Sequence, residues 1–185
     1  MKTPSVPKKS GGFTLLELVV AVAIILVLTA VAIPNAMAML RSYRLAGSAR
    51  AISHQLSLAR LSAATDFTNA QLVIDTAVVP NTYIVQVWDK SVPGFVDVGG
   101  TQFLSQGISF GFGAATVAAG GQAAMQQTLQ TVFNSRGIPI DGAGAANPND
   151  VIYLADDLGN AYAVGVTVGG HTRVYQYIAG GWTQQ

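Results

Sequence analysis

Gly12-Phe13-Thr14-Leu15-Leu16-Glu17 opens a stretch that stays apolar from Leu18 to Ile33, and its reading decides the fold. Those sixteen residues hold no charge and one hydroxyl, Thr29. Past Pro34 the apolar character resumes over Ala36–Leu40. A bilayer core takes roughly 20 such residues as a helix, so Phe13–Leu40 is long enough to span it. Glu17 puts a carboxylate near the start of that span. An ionisable group there is costly unless it is paired, which marks Glu17 as a candidate functional residue.

Toward the N-terminus, Met1–Gly12 is short, basic and rich in Pro and Ser, with Lys2, Lys8 and Lys9. The positive-inside bias keeps those lysines cytoplasmic and sends the C-terminus outward. Two readings of the apolar stretch stay open. Basic flank, apolar run, Pro34 and Ala36-Met37-Ala38 fit a secretory signal cleaved after Ala38. Against cleavage stand the length of the run, long for a signal core, and a helical periodicity that continues through the supposed cut.

That periodicity is carried by Leu45, Ala49, Ile52, Leu56, Ala59 and Ala63, at alternating steps of four and three on one helix face. Arg50, Ser53, Ser57 and Arg60 fall off the stripe. A helix from about Phe13 to Ala64 is expected, roughly 75–80 Å long at about 1.5 Å per residue. Pro34 lacks an N–H and clashes with the preceding turn, so a kink or local unwinding is expected there. The small residues Ala46, Ala49, Ala59 and Ala63 permit close approach of another element, and the plain expectation is that the stripe packs on the chain's own sheet.

Past Thr65 the pattern becomes strand-like. Residues 71–75, 82–89, 95–98, 107–112, 129–134, 151–155, 161–168 and 172–178 read as strands, rich in Val, Ile, Tyr and Phe and bounded by turn residues. Pro80-Asn81, Val92-Pro93-Gly94 and 157–160 are turn signals. Their close spacing implies an antiparallel meander. Two stretches look loose: Gly113–Gln127, of small residues and amides, and Asp141–Asn149, of Gly, Ala, Asn and Pro.

Of 185 residues, about 145 remain after leader and span, enough for one modest core. With no cysteine, disulfides, thiolate metal sites and thiol catalysis are excluded. The net charge of +1 hides an asymmetry, because from Leu61 onward three basic residues face eight acidic ones, a balance of about −5. Such a surface repels phosphate and argues against nucleic acid as a main partner. His54 and His171 have no Ser or Asp at a diagnostic spacing, and no phosphate loop or nucleophile motif is present. The chain is therefore read as no enzyme, and no cofactor is expected. The oxygen-rich loop Asp141–Asp150 has no calcium-loop spacing and reads as a plain turn, its calcium binding left open. Arg136, in Phe133-Asn134-Ser135-Arg136-Gly137, is a lone cation at the exit of a strand.

Three stretches carry a family resemblance. Gly12–Glu17 with its apolar helix resembles the signal of type IV prepilins and type II secretion pseudopilins. Leu58-Ala59-Arg60-Leu61-Ser62-Ala63 resembles the ARxxA segment of the FimT/GspH group of minor subunits. Phe133, Arg136 and Gly137 sit in a segment similar to that group's strand and Phe-x-x-x-Gly turn, and the closing hairpin 151–177 is placed as in that group.

The resemblance implies a division into a prepilin leader (1–12), a transmembrane helix (13–40), an amphipathic continuation (41–65) and a β-rich domain (66–185). It implies cleavage by a prepilin peptidase between Gly12 and Phe13, and N-methylation of Phe13. Glu17 would pair with the Phe13 amine of a neighbouring subunit, although pairing within one helical turn is also geometrically open. A free α-amine is largely protonated at neutral pH, and opposite charges in lipid have strong reason to meet. The expected fold is α+β, pilin-like, a long helix packed on antiparallel sheet. The expected function is that of a minor pseudopilin or minor pilin, anchored in the bacterial inner membrane with a periplasmic domain. Its partners would be other pilins or pseudopilins through the N-terminal helix, and its role would be to initiate or cap a secretion filament. The alternative is a FimT/FimU-like minor pilin of a type IV pilus with a part in assembly or DNA uptake. Uptake proteins of this kind carry an arginine-rich stretch near the C-terminus, where this chain has only Gly169-Gly170-His171-Thr172-Arg173.

Overall fold

The computed structural model describes residues 12–147 and 149–185. The leader expected over 1–12 lies outside them except for Gly12. Among the described residues a single helix, α1 (Leu15–Thr65), is followed by ten strands. The chain divides into two compact units, the first ending at Met39 and the second running Leu40–Gln185.

In the first unit α1 exposes its apolar side chains on every side, from Leu15 and Leu16 through Ile24–Leu28 to Met37 and Met39. No residue of α1 before Leu45 is buried. Pro34 lies inside the helix, which continues across it.

In the second unit one face of α1 organises the core. Leu45, Ala49, Ile52, Leu56, Ala59 and Ala63, the whole stripe, are 0% exposed. The alanines leave no bulk between helix and strands, so backbones approach closely and leave few voids. Around the helix stand two five-stranded antiparallel sheets. The first has the order β3 (Gly94–Phe103), β2 (Thr82–Asp89), β1 (Ala70–Asp75), β5 (Gln130–Phe133), β6 (Pro139–Ile140). The second has the order β10 (Gly181–Gln184), β9 (Thr172–Ile178), β8 (Ala161–Val166), β7 (Val151–Asp156), β4 (Ile108–Phe110). Leu72 and Ile74 of β1, Tyr83 and Val85 of β2, Phe133 of β5, and Ile152, Leu154, Tyr162 and Val164 of the second sheet complete one core with the helix stripe.

The meander expected from turn spacing holds for β1–β3 and for β7–β10. It fails between them, where β4 pairs with β7 and β5 inserts beside β1. On the outer face of the first sheet, Gln130 donates to Gln71, Gln71 to Gln86 and Gln86 to Asp97, at 2.6, 2.6 and 2.8 Å. This cross-strand row gives polar groups on a partly covered face their partners.

Strands β7 and β8 are buried at every position. Their second face is covered by the segment expected to be loose. Ala119 of that segment packs with Val151, Tyr153 and Ala163, joined by Phe112, Met125, Tyr175 and Trp182. The Tyr153 hydroxyl donates to Gln122 Oε1 at 2.7 Å and accepts from the Ala119 N–H at 3.0 Å. The Trp182 indole N–H donates to the Val117 carbonyl at 2.8 Å. Residues 113–127 are thus an irregular but pinned cover, because small residues lie flat on a sheet and the hydrogen-bonding groups of Tyr153, Tyr177 and Trp182 hold them there.

Asp150, 6% exposed, stands at the entry to β7 and accepts from the Asn147 amide at 2.8 Å. The Thr131 hydroxyl is near the same carboxyl without meeting it at hydrogen-bond geometry. Burial pushes this carboxyl up to about 6, with Thr131 and Asn147 pulling the other way. In the unfolded chain it ionises near 4. Between those values the folded chain binds the extra proton, so this group makes stability fall as pH rises from about 4 to about 6. Asp150→Asn is expected to remove that slope. Thermal unfolding of the full chain in detergent at pH 4.5 and pH 7 should show a smaller difference in midpoint for the variant than for the parent.

Candidate functional site

Two sets of residues singled out in the sequence occupy separate units: Gly12, Phe13 and Glu17 in the first, Phe133, Arg136 and Gly137 in the second. The first set is organised by a residue that the sequence reading passed over. Thr14 precedes the first helical residue, and its Oγ1 accepts from the Glu17 N–H at 3.2 Å. The Thr14 carbonyl accepts the Leu18 N–H at 3.1 Å, the first bond of the helical ladder. Thr14 is therefore the N-cap, and Thr14-x-x-Glu17 has the spacing of a capping box. The signal was legible as a hydroxyl three residues before a Glu. Glu17 is exposed in the first turn of α1, where the positive end of the helix dipole favours a carboxylate. Gly12 and Phe13 are exposed beside it.

The second set sits where α1 ends. Phe133 is 0% exposed in the core beneath the helix. Between β5 and β6 the chain turns on Asn134, whose Oδ1 accepts from the N–H groups of Arg136 and Ile138 at 2.9 and 3.1 Å. Its carbonyl accepts the Gly137 N–H at 2.8 Å. Arg60, from the ARxxA segment of α1, donates its Nε–H to the Gly137 carbonyl at 3.1 Å. A Cβ on Gly137 would stand 3.0 Å from Arg60 Cγ and Nε, and φ there is +71°. A Cβ on Gly170, in the β8–β9 turn, would stand 2.1 Å from the Gly137 oxygen and 2.8 Å from Arg60 Nε, with φ at +75°. Arg60 is thus clamped between two glycines from two different turns, and its side chain ties the helix to both sheets. Arg136, in the same turn, is exposed.

His54 and His171 are both exposed, one on α1 and one in the β8–β9 turn. In the loop from Asp141, the Asp141 carboxylate accepts from the Ala143 and Ala145 N–H groups at 3.0 and 2.9 Å, so its oxygen serves the turn. Among the described residues no group of three His, Cys, Asp or Glu side chains could hold a metal.

Residues 7–33 match the prokaryotic N-terminal methylation motif. The chain carries a prepilin-type N-terminus. Its α1 is long and apolar enough to cross a membrane, and the apolar window is wholly unburied. No curated protein matches the chain. Two solved structures of the minor pseudopilin EpsH from the Type 2 Secretion System of Vibrio cholerae are similar to it. One is 14% identical with a TM-score of 0.49, over 71% of this chain and 95% of that one. The other is 14% identical with a TM-score of 0.46, over 76% and 96%.

The glycine clamp makes a sharp prediction. Gly170→Ala combines a disfavoured φ with a backbone collision and is expected to cost on the order of 2–4 kcal/mol. Gly169→Ala, one residue away, meets only the His171 ring at 3.4 Å, without the positive φ. It should leave the thermal midpoint of the full chain nearly unchanged.

Proposed function

We propose that this chain is a structural subunit of a pilin-like filament, a minor pseudopilin of the GspH kind in a type II secretion system, where it helps initiate or cap the filament. One observation carries the reading: a methylation motif opens a helix whose first unit exposes apolar side chains all round. Such a surface is stable only in lipid or against other apolar helices. About 25 residues of α1 from Leu15 to Met39 give roughly 38 Å of helix, more than the roughly 30 Å of a hydrocarbon core. The ARxxA segment and the Phe133–Gly137 turn, the two stretches that resemble the minor subunits, meet through Arg60 and Gly137, which supports reading them as one structural unit.

In this function a prepilin peptidase cuts between Gly12 and Phe13, and the new Phe13 amine is methylated and charged. The apolar helix stays on the mature chain as its membrane anchor, and the second unit lies on the outer side of the inner membrane. Glu17 then offers a carboxylate to the amine of an adjoining subunit. Its place in the first turn of α1 keeps it at the same end of the helix as that amine.

The mass of the mature N-terminus tests the processing. It is expected to correspond to N-methylated Phe13, and a chain beginning at Met39 would overturn the filament reading. Glu17→Ala should be processed normally but fail to enter filaments, scored by copurification with the other pilins. Normal copurification would remove Glu17 from assembly.

A further inference from the structure

The last turns of α1 and the β5–β6 turn enclose a cavity of about 360 Å³, lined by Ser57, Arg60, Leu61, Ala64, Arg136 and Gly137. Two of its six lining residues are arginines, in a unit whose strands and loops are acidic. Neither meets a carboxylate: the ion pair among the described residues is Arg41–Asp157, at 3.1 Å. Arg60, a lining residue, gives its Nε–H to Gly137, and its terminal Nη groups have no partner among the described residues. Gly137 and Gly170 crowd the stem of Arg60, so its guanidinium is held in place before anything binds.

Service to the helix end does not account for these cations. The Ser62 carbonyl accepts the Asp66 N–H at 3.0 Å, and the Ala63 carbonyl accepts the Thr68 N–H at 3.1 Å. The closing turn is capped by backbone. The Ser57 hydroxyl is spent on the Ser53 carbonyl at 2.9 Å, so what remains is a fixed guanidinium, a second lining the same cavity, and the side chain of Leu61, 62% exposed. A planar guanidinium fork matches a carboxylate, and an exposed leucine matches an apolar neighbour of that carboxylate.

We propose that this cavity is a carboxylate-binding site, filled by an acidic side chain with an apolar flank on an adjoining protein chain. Charge complementarity selects the occupant, with Arg60 fixing its orientation and Arg136 closing over it from the turn. The filament reading supplies the source of the partner, and the chemistry of the site stands without it.

The test uses the full chain in detergent micelles, labelled with nitrogen-15 at arginine and titrated with the blocked peptide acetyl-Leu-Glu-Leu-amide. Saturable shifts of the Arg60 and Arg136 side-chain Nε–H signals are expected, with Arg136→Gln weakening the peptide by about tenfold. Arg136 is exposed and its side chain holds nothing else, so the variant should keep the parent's backbone spectrum. Equal shifts with acetyl-Leu-Gln-Leu-amide would overturn the proposal, as would no shift at all. Inorganic phosphate binding as well as the glutamate peptide would also overturn it, by showing a general anion site. The N-terminal mass decides the filament reading separately, so the two can fail independently.

Discussion

Everything in this chain follows from the apolar surface of α1 and from where that surface is covered. Before Met39 the helix is apolar on all sides, and none of the described residues covers it. Beyond Leu40 polar and charged residues take over the flanks and the apolar surface narrows to one stripe. A stripe can be buried by a single domain, whereas an all-round surface needs a second helix or lipid. The same helix therefore has to be satisfied by two environments, and only the second is supplied by the chain itself. The two sheets are the means: their apolar faces converge on Leu45–Ala63, and their outer faces need separate solutions, an amide row on one and a pinned loop on the other.

Much of this was legible in the sequence. The stripe from Leu45 to Ala63 is buried at all six positions because period and burial are tied by helix geometry. All eight expected strands are found. The two strands missed, Pro139–Ile140 and Gly181–Gln184, are two and four residues long, too short to show a period. The division into two sheets was not legible either, since β4 and β5 find partners far away in sequence and no local pattern encodes that choice. Residues 113–127 read as loose because composition reports what a segment can bury by itself. Their anchors, Tyr153 and Trp182, lie elsewhere in the chain.

The candidate site divides in the same way. The N-terminal motif is contiguous, so its residues announce themselves, Thr14 included once the hydroxyl-to-Glu spacing is noticed. The capping box also changes how Glu17 is understood. Its backbone N–H is held by Thr14 at 3.2 Å, which fixes the first turn and hence the carboxylate's origin, while the carboxylate itself stays exposed. A local role and an intermolecular one do not compete here, because they use different atoms of the same residue. The Arg60 clamp, by contrast, joins residues 77 positions apart. In sequence it shows only as an arginine and two distant glycines with nothing to join them, and the missing side chains of those glycines are the space that Arg60 occupies.

The charge asymmetry acquires a structural sense from the same helix. Arg41, Arg44, Arg50 and Arg60 line the outer part of α1, and the aspartates gather on the strands and loops around it. Where that complementarity is completed inside the chain, as at Arg41 and Asp157, the pair sits in water and contributes little to stability. Arg60 is the informative exception. It is answered by a carbonyl instead of a carboxylate, so its hydrogen bond is met while its charge is not. A domain with aspartates to spare leaves this arginine, its stem crowded by Gly137 and Gly170, without one, and that is the condition under which a carboxylate from outside the chain can use its charge.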